Sequence, residues 1–539
     1  MSTLYLLVLD SIGIQPYIFG SNRLRENVGA SHLVHMASVG WLLSEPNKFL
    51  GANHNIQAGQ IQSTAAVGGI ETGTLDAEVV YAGGGNTVVL FREVTQVIRF
   101  KAALSHQILS EAPGLELVVE TVEFDWTDSL ASAMEQAMFR LSARKLQAEG
   151  NRPLQGIAVT AACRSTGMAA NVTLQEPGSQ GSLIPLSSEV AAKWYQADAA
   201  QRRLHEVVLA NTQMEFQIPN QFDHLGRSVE EFSYIAVIHA DGNHMGMILQ
   251  DITRCFSDRT GANNRQYIEA LRAFSAAANV AGVSALRAVI DFVAEVNRTK
   301  IVAPSSNKNG DYLSMRPIVF GGDDVTLVCD GRIGLQSAAV FLEAFSRHTV
   351  PDASGQAQRC TAAAGISIVK SRYPFARAYE LSSQLCSNAK HTSNRDYSAL
   401  DFHLAQSGLF GSLREIRRTE YGEEWNGDQL KRSILMRPLA LERTSSADWR
   451  NWRDFVDLLS TFKNIDQWPR NKVMKLKEAL RAGPAAVRAF RTNYRQQKLP
   501  DMRLNSDGYR DTGWDGERCV YFDAIEMIEQ EVMPWTLSG

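Results

Sequence analysis

Three aspartates from two distant stretches carry the chemistry this sequence offers. Asp323 and Asp324 follow Gly321 and Gly322 at the tip of a hairpin pattern, RPIVFGGDDVTLVCD (Arg316–Asp330), and Asp241 ends an apolar strand pattern, YIAVIHAD (Tyr234–Asp241). A tight strand–turn–strand lets the two adjacent acids leave a sheet edge together. The glycines supply permissive dihedrals and remove bulk, so a triphosphate can lie close to backbone. With the Asp241 strand beside that hairpin, three carboxylates converge and repel one another unless divalent cations neutralise them. Two Mg²⁺ (or Mn²⁺) ions suit such a set, one activating a 3′-hydroxyl and one holding phosphates. The chemistry expected is nucleotidyl transfer, with Asp241, Asp323 and Asp324 as catalytic metal ligands.

Neighbouring residues extend the site. Gly242, Asn243 and Gly246 fall in GNHMG directly after Asp241, where a strand turns into a helix and backbone N–H groups are donors for phosphate oxygens. Lys390 closes a later helix and can reach a γ-phosphate as a point charge. His244 has no companion His or Cys at ligand spacing and reads as a loop residue. A Gly-Gly-Asp-Asp tip by itself is more often a solvated turn. The second acid-terminated strand is what turns this one into a site.

The elements that position these residues occur twice. LYLLVL (Leu4–Leu9) stops at Asp10, and a helical stretch, the hairpin EVVYAGGGNTVVLF (Glu78–Phe91), a helix, a strand and a helix follow. The second copy repeats that outline from Tyr234 to Phe402, with a long apolar-faced helix near Tyr267–Val296. From acid to glycine turn the copies measure 83 − 10 = 73 and 321 − 241 = 80 residues, so an internal duplication is the economical reading. The first hairpin has Gly83-Gly84-Gly85-Asn86 in place of paired acids, which predicts an inert copy that helps wall the cleft of the other. The expected architecture is α+β, with two ferredoxin-like palms at 1–149 and 231–405. A mixed insert at 150–230, strand-like over GIAVTAACRSTGMAANV, and a helical domain at 406–539 complete it.

Composition sets the outer bounds. A chain of 539 residues, 45% hydrophobic and 21% charged, is an ordinary globular sequence of two to four domains. No uninterrupted apolar run approaches the roughly 18 residues of a membrane span, and the start lacks signal-peptide features, so a cytoplasmic protein without membrane contact is expected. The six cysteines are scattered without CxxC spacing, which argues for reduced core thiols. At net charge −4 the chain lacks the basic excess of an independent nucleic-acid binder, so any such contact is local or shared. The one basic run comprises Arg470, Lys472, Lys475, Lys477, Arg481, Arg488, Arg491, Arg495, Lys498 and Arg503, opposed by Glu478 and Asp501. It reads either as a solvated helix face or as a contact for RNA or an acidic neighbour. Trp449, Trp452 and Trp468 before it read as core.

At these residues the sequence resembles the large, polymerase-like subunit of type III CRISPR effector complexes. HADGNHMG, RPIVFGGDDVTLVCD, TAAAGISIVKSRYPFARAYELSSQLCSNAK and SALDFH (Ser398–His403) follow that family's catalytic palm in order. LDSIGIQPYIFGSNRLRENVGASHLV and YAGGGNTVVLF resemble its opening palm and degenerate hairpin, and YFDAIEMIE (Tyr521–Glu529) its closing helical segment. The resemblance implies synthesis of cyclic oligoadenylate from ATP in antiviral defence, with metals on Asp241, Asp323 and Asp324. It also implies guide and target RNA and other effector subunits as partners. Diguanylate cyclases carry a related palm, so cyclic-dinucleotide synthesis is one alternative, and a non-catalytic CRISPR scaffold another. Two departures stand out. No His-Asp dipeptide occurs, so the DNase of fuller family members is not expected, and Cys163 has no cysteine nearby for the zinc site found between many relatives' palms.

Overall fold

The two sets of strand patterns become two sheets of one topology. The computed structural model describes residues 3–528 and 530, apart from 84, 149–158, 176–182, 211–213, 226–233, 258, 260, 308–309, 406–410, 427–428, 444–448, 503 and 505–506. The expected domain limits near 149, 230 and 405 fall at or beside residues outside this set, as do Gly84, Arg503, Glu529 and the first residues of the insert pattern at 156–158.

The first sheet holds β1 (Thr3–Ile12), β2 (Ala77–Gly83), β3 (Asn86–Phe91) and β4 (Glu116–Asp125) in the order β2-β3-β1-β4, every pairing antiparallel. Its principal helices are α1 (Leu24–His35), α2 (Val94–Glu111) and α3 (Leu130–Ala148), and α4 (Ser188–Val207) lies between the palms in sequence. The second sheet repeats the order with β5 (Tyr234–Gly242), β6 (Met315–Val319), β7 (Val325–Asp330) and β8 (Ala362–Lys370), as β6-β7-β5-β8. It is extended by β9 (Ala399–Leu404), parallel to β8, and by β10 (Leu439–Ala440). Its helices are α5 (Met245–Ser257), α6 (Asn264–Arg298), α7 (Gly334–Phe345) and α8 (Phe375–Thr392). Both are ferredoxin-like βαββαβ sheets, and the shared strand order fits the duplication read from the sequence.

Central strands read as continuous apolar runs because both of their faces are covered. Leu4, Leu6 and Val8 of β1 join one core cluster while Leu7 and Leu9 join another, and β5 divides in the same way between Ala236, Ile238, Ala240 and Ile235, Val237. Each large apolar side chain buried in this way contributes roughly 1.5–3 kcal/mol.

Helix α6 spans both palms. Near its start, Arg265 and Arg272 hold the fully buried Glu78 of β2 at 2.5 and 2.9 Å, and Arg272 donates to the Val79 carbonyl at 2.8 Å. Further along, Ala281, Ala285, Leu286, Val289, Ile290 and Val293 are buried in the second palm. By length and composition Gly261–Arg298 would suffice to cross a membrane, at a mean hydropathy of 1.5, although no unbroken apolar run signals it. Here its apolar stripe is consumed by palm packing.

Among the described residues the insert holds an antiparallel bridge between Ala162 and Ala169, one short hairpin (Val172–Gln175 with Leu183–Leu186) and the 20-residue α4. The overlooked signal is Ser187, whose hydroxyl caps the helix by accepting from the Val190 amide, followed by Val190, Ala191, Ala197, Ala200 and Leu204 at helical spacing. Gly29 lets α1 approach α4 closely: a Cβ there would stand 1.7 Å from the Lys193 carbonyl oxygen.

Beyond β9 the chain is mainly helical, and Trp449, Trp452 and Trp468 are buried in its core. Part of the basic run has partners close by. Lys475 pairs with Glu478, Lys498 with Asp507 and Arg491 with Asp511, and Arg481 donates to the Glu420 carbonyl. Arg488, Arg491 and Arg495 border a surface hollow of about 450 Å³.

Candidate active site

Strand register brings the distant acids together. Ala240 pairs with Val325 across β5 and β7, so the next residues along, Asp241 and Asp324, leave adjacent strand ends side by side. Asp323 folds back over β5: its carbonyl accepts from the Gly242 amide at 3.3 Å. Gly242 is required by that contact, because a Cβ there would stand 2.9 Å from both Asp323 Cβ and Asp323 Oδ2.

Crowding shows in the acids themselves. Asp323 is pushed up to about 6, first by loss of hydration and then by the Asp241 charge. Asp324 is also raised, by crowding and then by Asp241, although water reaches 54% of its side chain and screens part of that effect. Burial lowers the His239 imidazole below its ordinary range, so its 3.4 Å approach to Asp324 is not a charge pair. The charge that does arrive is Lys390, whose Nζ donates to Asp241 Oδ2 at 2.6 Å and to the Gly242 carbonyl at 2.9 Å. Among the described residues no three His, Cys, Asp or Glu side chains stand ready-grouped around a metal position. The donors nevertheless suit a hard divalent cation, being carboxylate oxygens short of counter-charge, one of which an ammonium already neutralises.

The turn is held from outside its own sheet. Gly321 at φ 122° and Gly322 at φ 84° adopt conformations L side chains rarely take. The Gly322 amide donates to Asn279 Oδ1 of α6 at 3.2 Å, and its carbonyl lies so close to Gly282 that a Cβ there would stand 1.8 Å away. On the other side Arg203 of α4 donates to the Phe320 carbonyl at 3.1 Å and covers the Phe320 ring at 4.3 Å. Asn279, Gly282 and Arg203 carried no signal in the sequence, since nothing in their local spacing connects them to residue 320.

After Asp241 the donors expected to be open are fewer than the motif suggested. β5 runs one residue further, to Gly242, whose amide is taken by Asp323; the Asn243 amide donates to the Thr361 carbonyl at 2.8 Å. The buried Asn243 side chain donates to Thr361 Oγ1 and to the Tyr397 carbonyl, tying this corner to β8 and β9. Gly246, in the first turn of α5, faces open space. His244 sits at φ 60°, half-buried in the connecting loop.

The first palm superimposes the same plan on different chemistry. Asp10 pairs in register with Asn86, as Asp241 stands beside Asp324, and its carboxylate contacts Lys145 of α3; the Asn86 amide, correctly turned, donates to Asp10 as well. A single acid with a lysine and an amide on it lacks the surplus charge of the second palm.

Residues 234–399 match the family model for the second palm domain of Cas10/Cmr2. No curated protein matches by sequence. A chain in the crystal structure of the Csm1-Csm4 cassette in complex with cA4 superposes with a TM-score of 0.51 at 12% identity, covering 98% of this chain and 69% of that one, which is a likeness of fold. For the apo Csm1-Csm4 cassette the TM-score is 0.41 at 13% identity, covering 75% of this chain, and the chain spans only 54% of that one's length. The palm at residues 234–399 is therefore similar to the second palm domain of Cas10/Cmr2.

Proposed function

We propose that the second palm is a metal-dependent nucleotidyltransferase that makes cyclic oligoadenylate from ATP within a type III CRISPR-like defence system. The observation that carries this is the register of β5 against β7, which gathers Asp241, Asp323 and Asp324 at one sheet edge beside a glycine turn. Asp241, Asp323 and Asp324 would hold Mg²⁺ or Mn²⁺, which when bound lowers the cost of attack by a 3′-hydroxyl on an α-phosphate and of pyrophosphate departure. The protein's own share is positioning. Gly321 and Gly322 leave backbone bare for the triphosphate, Gly246 opens a helix N-terminus toward it, and Lys390 supplies a cation. Adenine as the base is supported by the family resemblance and by the cA4 of the superposable cassette. Other type III effector subunits and guide or target RNA are the partners proposed on the same ground.

A second reading, nucleotide binding without chemistry, draws support from the Lys390–Asp241 contact, which leaves the acids without a ready-made metal position. Labelled ATP with Mg²⁺ or Mn²⁺, in the presence of a target RNA and followed by mass spectrometry of the product, separates the two. Cyclic oligoadenylate from the parent chain and none from Asp323→Ala/Asp324→Ala is the expected result. Undiminished product from that double variant overturns the catalytic assignment, and a clear preference for GTP moves it to a diguanylate-type cyclase.

A further inference from the structure

We propose that Arg203, from the segment between the palms, is a positioning residue that fixes the turn carrying Asp323 and Asp324 for transfer; this rests on the nucleotidyltransferase reading above. The turn needs such a support. Two adjacent glycines at positive φ give it little rigidity of its own, and β6 ends at Val319 after a register shift against β7. Phe320 is thus the last residue before the flexible tip, and the orientation of its carbonyl sets the path of the next peptide. Arg203 Nη2 donates to that carbonyl at 3.1 Å, while the guanidinium covers the Phe320 ring at 4.3 Å. One planar group therefore fixes both the backbone and the side chain of the same residue. On the far side of the tip the Asn279–Gly322 bond and the close approach of Gly282 oppose it.

The base from which Arg203 reaches is itself anchored to both palms. Two residues before it on α4, Gln201 accepts from the buried Arg316 of β6. Nearer the middle of α4, Asp198 pairs with Arg25 of α1 at 3.0 Å, and Arg23 and Arg25 approach the Trp194 ring at 5.9 and 5.1 Å. The inter-palm helix consequently refers the position of the acid-bearing turn to the first palm. This gives the acid-poor copy a role that needs no chemistry of its own.

The test uses the full chain with Arg203→Met, which keeps bulk, and Arg203→Lys, which keeps charge and one donor. Amide hydrogen exchange over residues 319–325 reports the holding of the turn without reference to activity, with the amides of β5 as the internal control for global stability. Arg203→Met is expected to quicken exchange at the turn about tenfold while β5 is unchanged. It is also expected to lower kcat about tenfold with KM for ATP within about twofold, the signature of lost positioning, and Arg203→Lys to recover much of kcat. Unchanged exchange at the turn overturns the proposal, and so does a rise in KM at constant kcat, which would make Arg203 a substrate contact. Quickened exchange with full kcat overturns it as well. If the parent chain makes no product from any nucleotide, the enzymatic reading fails on its own, and the exchange arm still decides whether Arg203 holds the turn.

Discussion

Lys390 Nζ lies 2.6 Å from Asp241 Oδ2, and in the first palm Lys145 makes the corresponding contact with Asp10. Each lysine comes from the helix that follows the fourth strand of its palm, α8 in one and α3 in the other. The duplication therefore preserved an acid–lysine pair, and the copies differ in what stands beside it: two further acids in one, Gly85 and Asn86 in the other.

Removing that ammonium leaves Asp241 uncompensated among two other carboxylates. Lys390→Met is expected to tighten Mn²⁺ binding about three- to tenfold, since a competing cation is gone. Turnover should fall at least about tenfold in the same variant, if the lysine also serves the phosphates. Titration of Mn²⁺ by its electron paramagnetic resonance signal checks the first part; weaker binding would show that Lys390 assembles the acids rather than competing for them.

Gly282 marks the closest approach of α6 to the acid-bearing turn. A methyl group there, 1.8 Å from the Gly322 carbonyl oxygen, forces the helix or the turn to move. Gly282→Ala is expected to destabilise the fold by about 1–3 kcal/mol, as overpacking of a closed contact does, and to lower turnover more than stability predicts. Denaturant midpoints and kcat for the same variant measure both. Wild-type values for each would mean that the helix yields freely.

Restoring acids to the first palm should not create a second centre. In Gly85→Asp/Asn86→Asp, Gly85 is replaced at φ 87°, where an L residue is strained, and Asp10 still bears Lys145. The expected outcome is no gain in product per chain, and about 1–2 kcal/mol lost in stability. A second set of product-forming sites, seen as doubled burst amplitude, would contradict it.

His32 gives the fold an acid-sensitive element. Burial, and then Arg203 and Arg202, lower its imidazole to about 4 from an ordinary 6.5. An unfolded chain takes up that proton below pH 6.5 while the folded one does not until about 4, so stability is fully present above 6.5 and drains away as pH falls through this window. The integrated effect of one such shift is about 3 kcal/mol. His32→Gln, which cannot titrate, should flatten that part of the stability–pH curve, read from urea midpoints between pH 7 and 4.5. A curve of unchanged slope would place the acid sensitivity elsewhere, with the similarly depressed His35 the next candidate.

Chain composition and pattern by themselves settled the α+β class and the repeated palm. Apolar runs ending in acids, glycine-tipped hairpins and helical periodicity are local signals, written within ten or so residues of where they act. They also reached the Gly321-Gly322-Asp323-Asp324 tip and the strand ending at Asp241, because each belongs to a continuous motif. What only the tertiary structure decided is how such pieces meet. The opposition of Asp241 to Asp324 follows from strand register, the support of the turn by Arg203, Asn279 and Gly282 from helices that lie 38 or more residues away in sequence (320 − 282 = 38), and the neutralisation of Asp241 by Lys390 from packing of α8 on β5. Helix α4 has its own local signal, the Ser187 cap and apolar residues at helical spacing, but the face it buries was decided by packing against α1. Local propensity chooses elements, but side chains far apart along a chain become a site only when burial of apolar faces fixes the elements relative to one another.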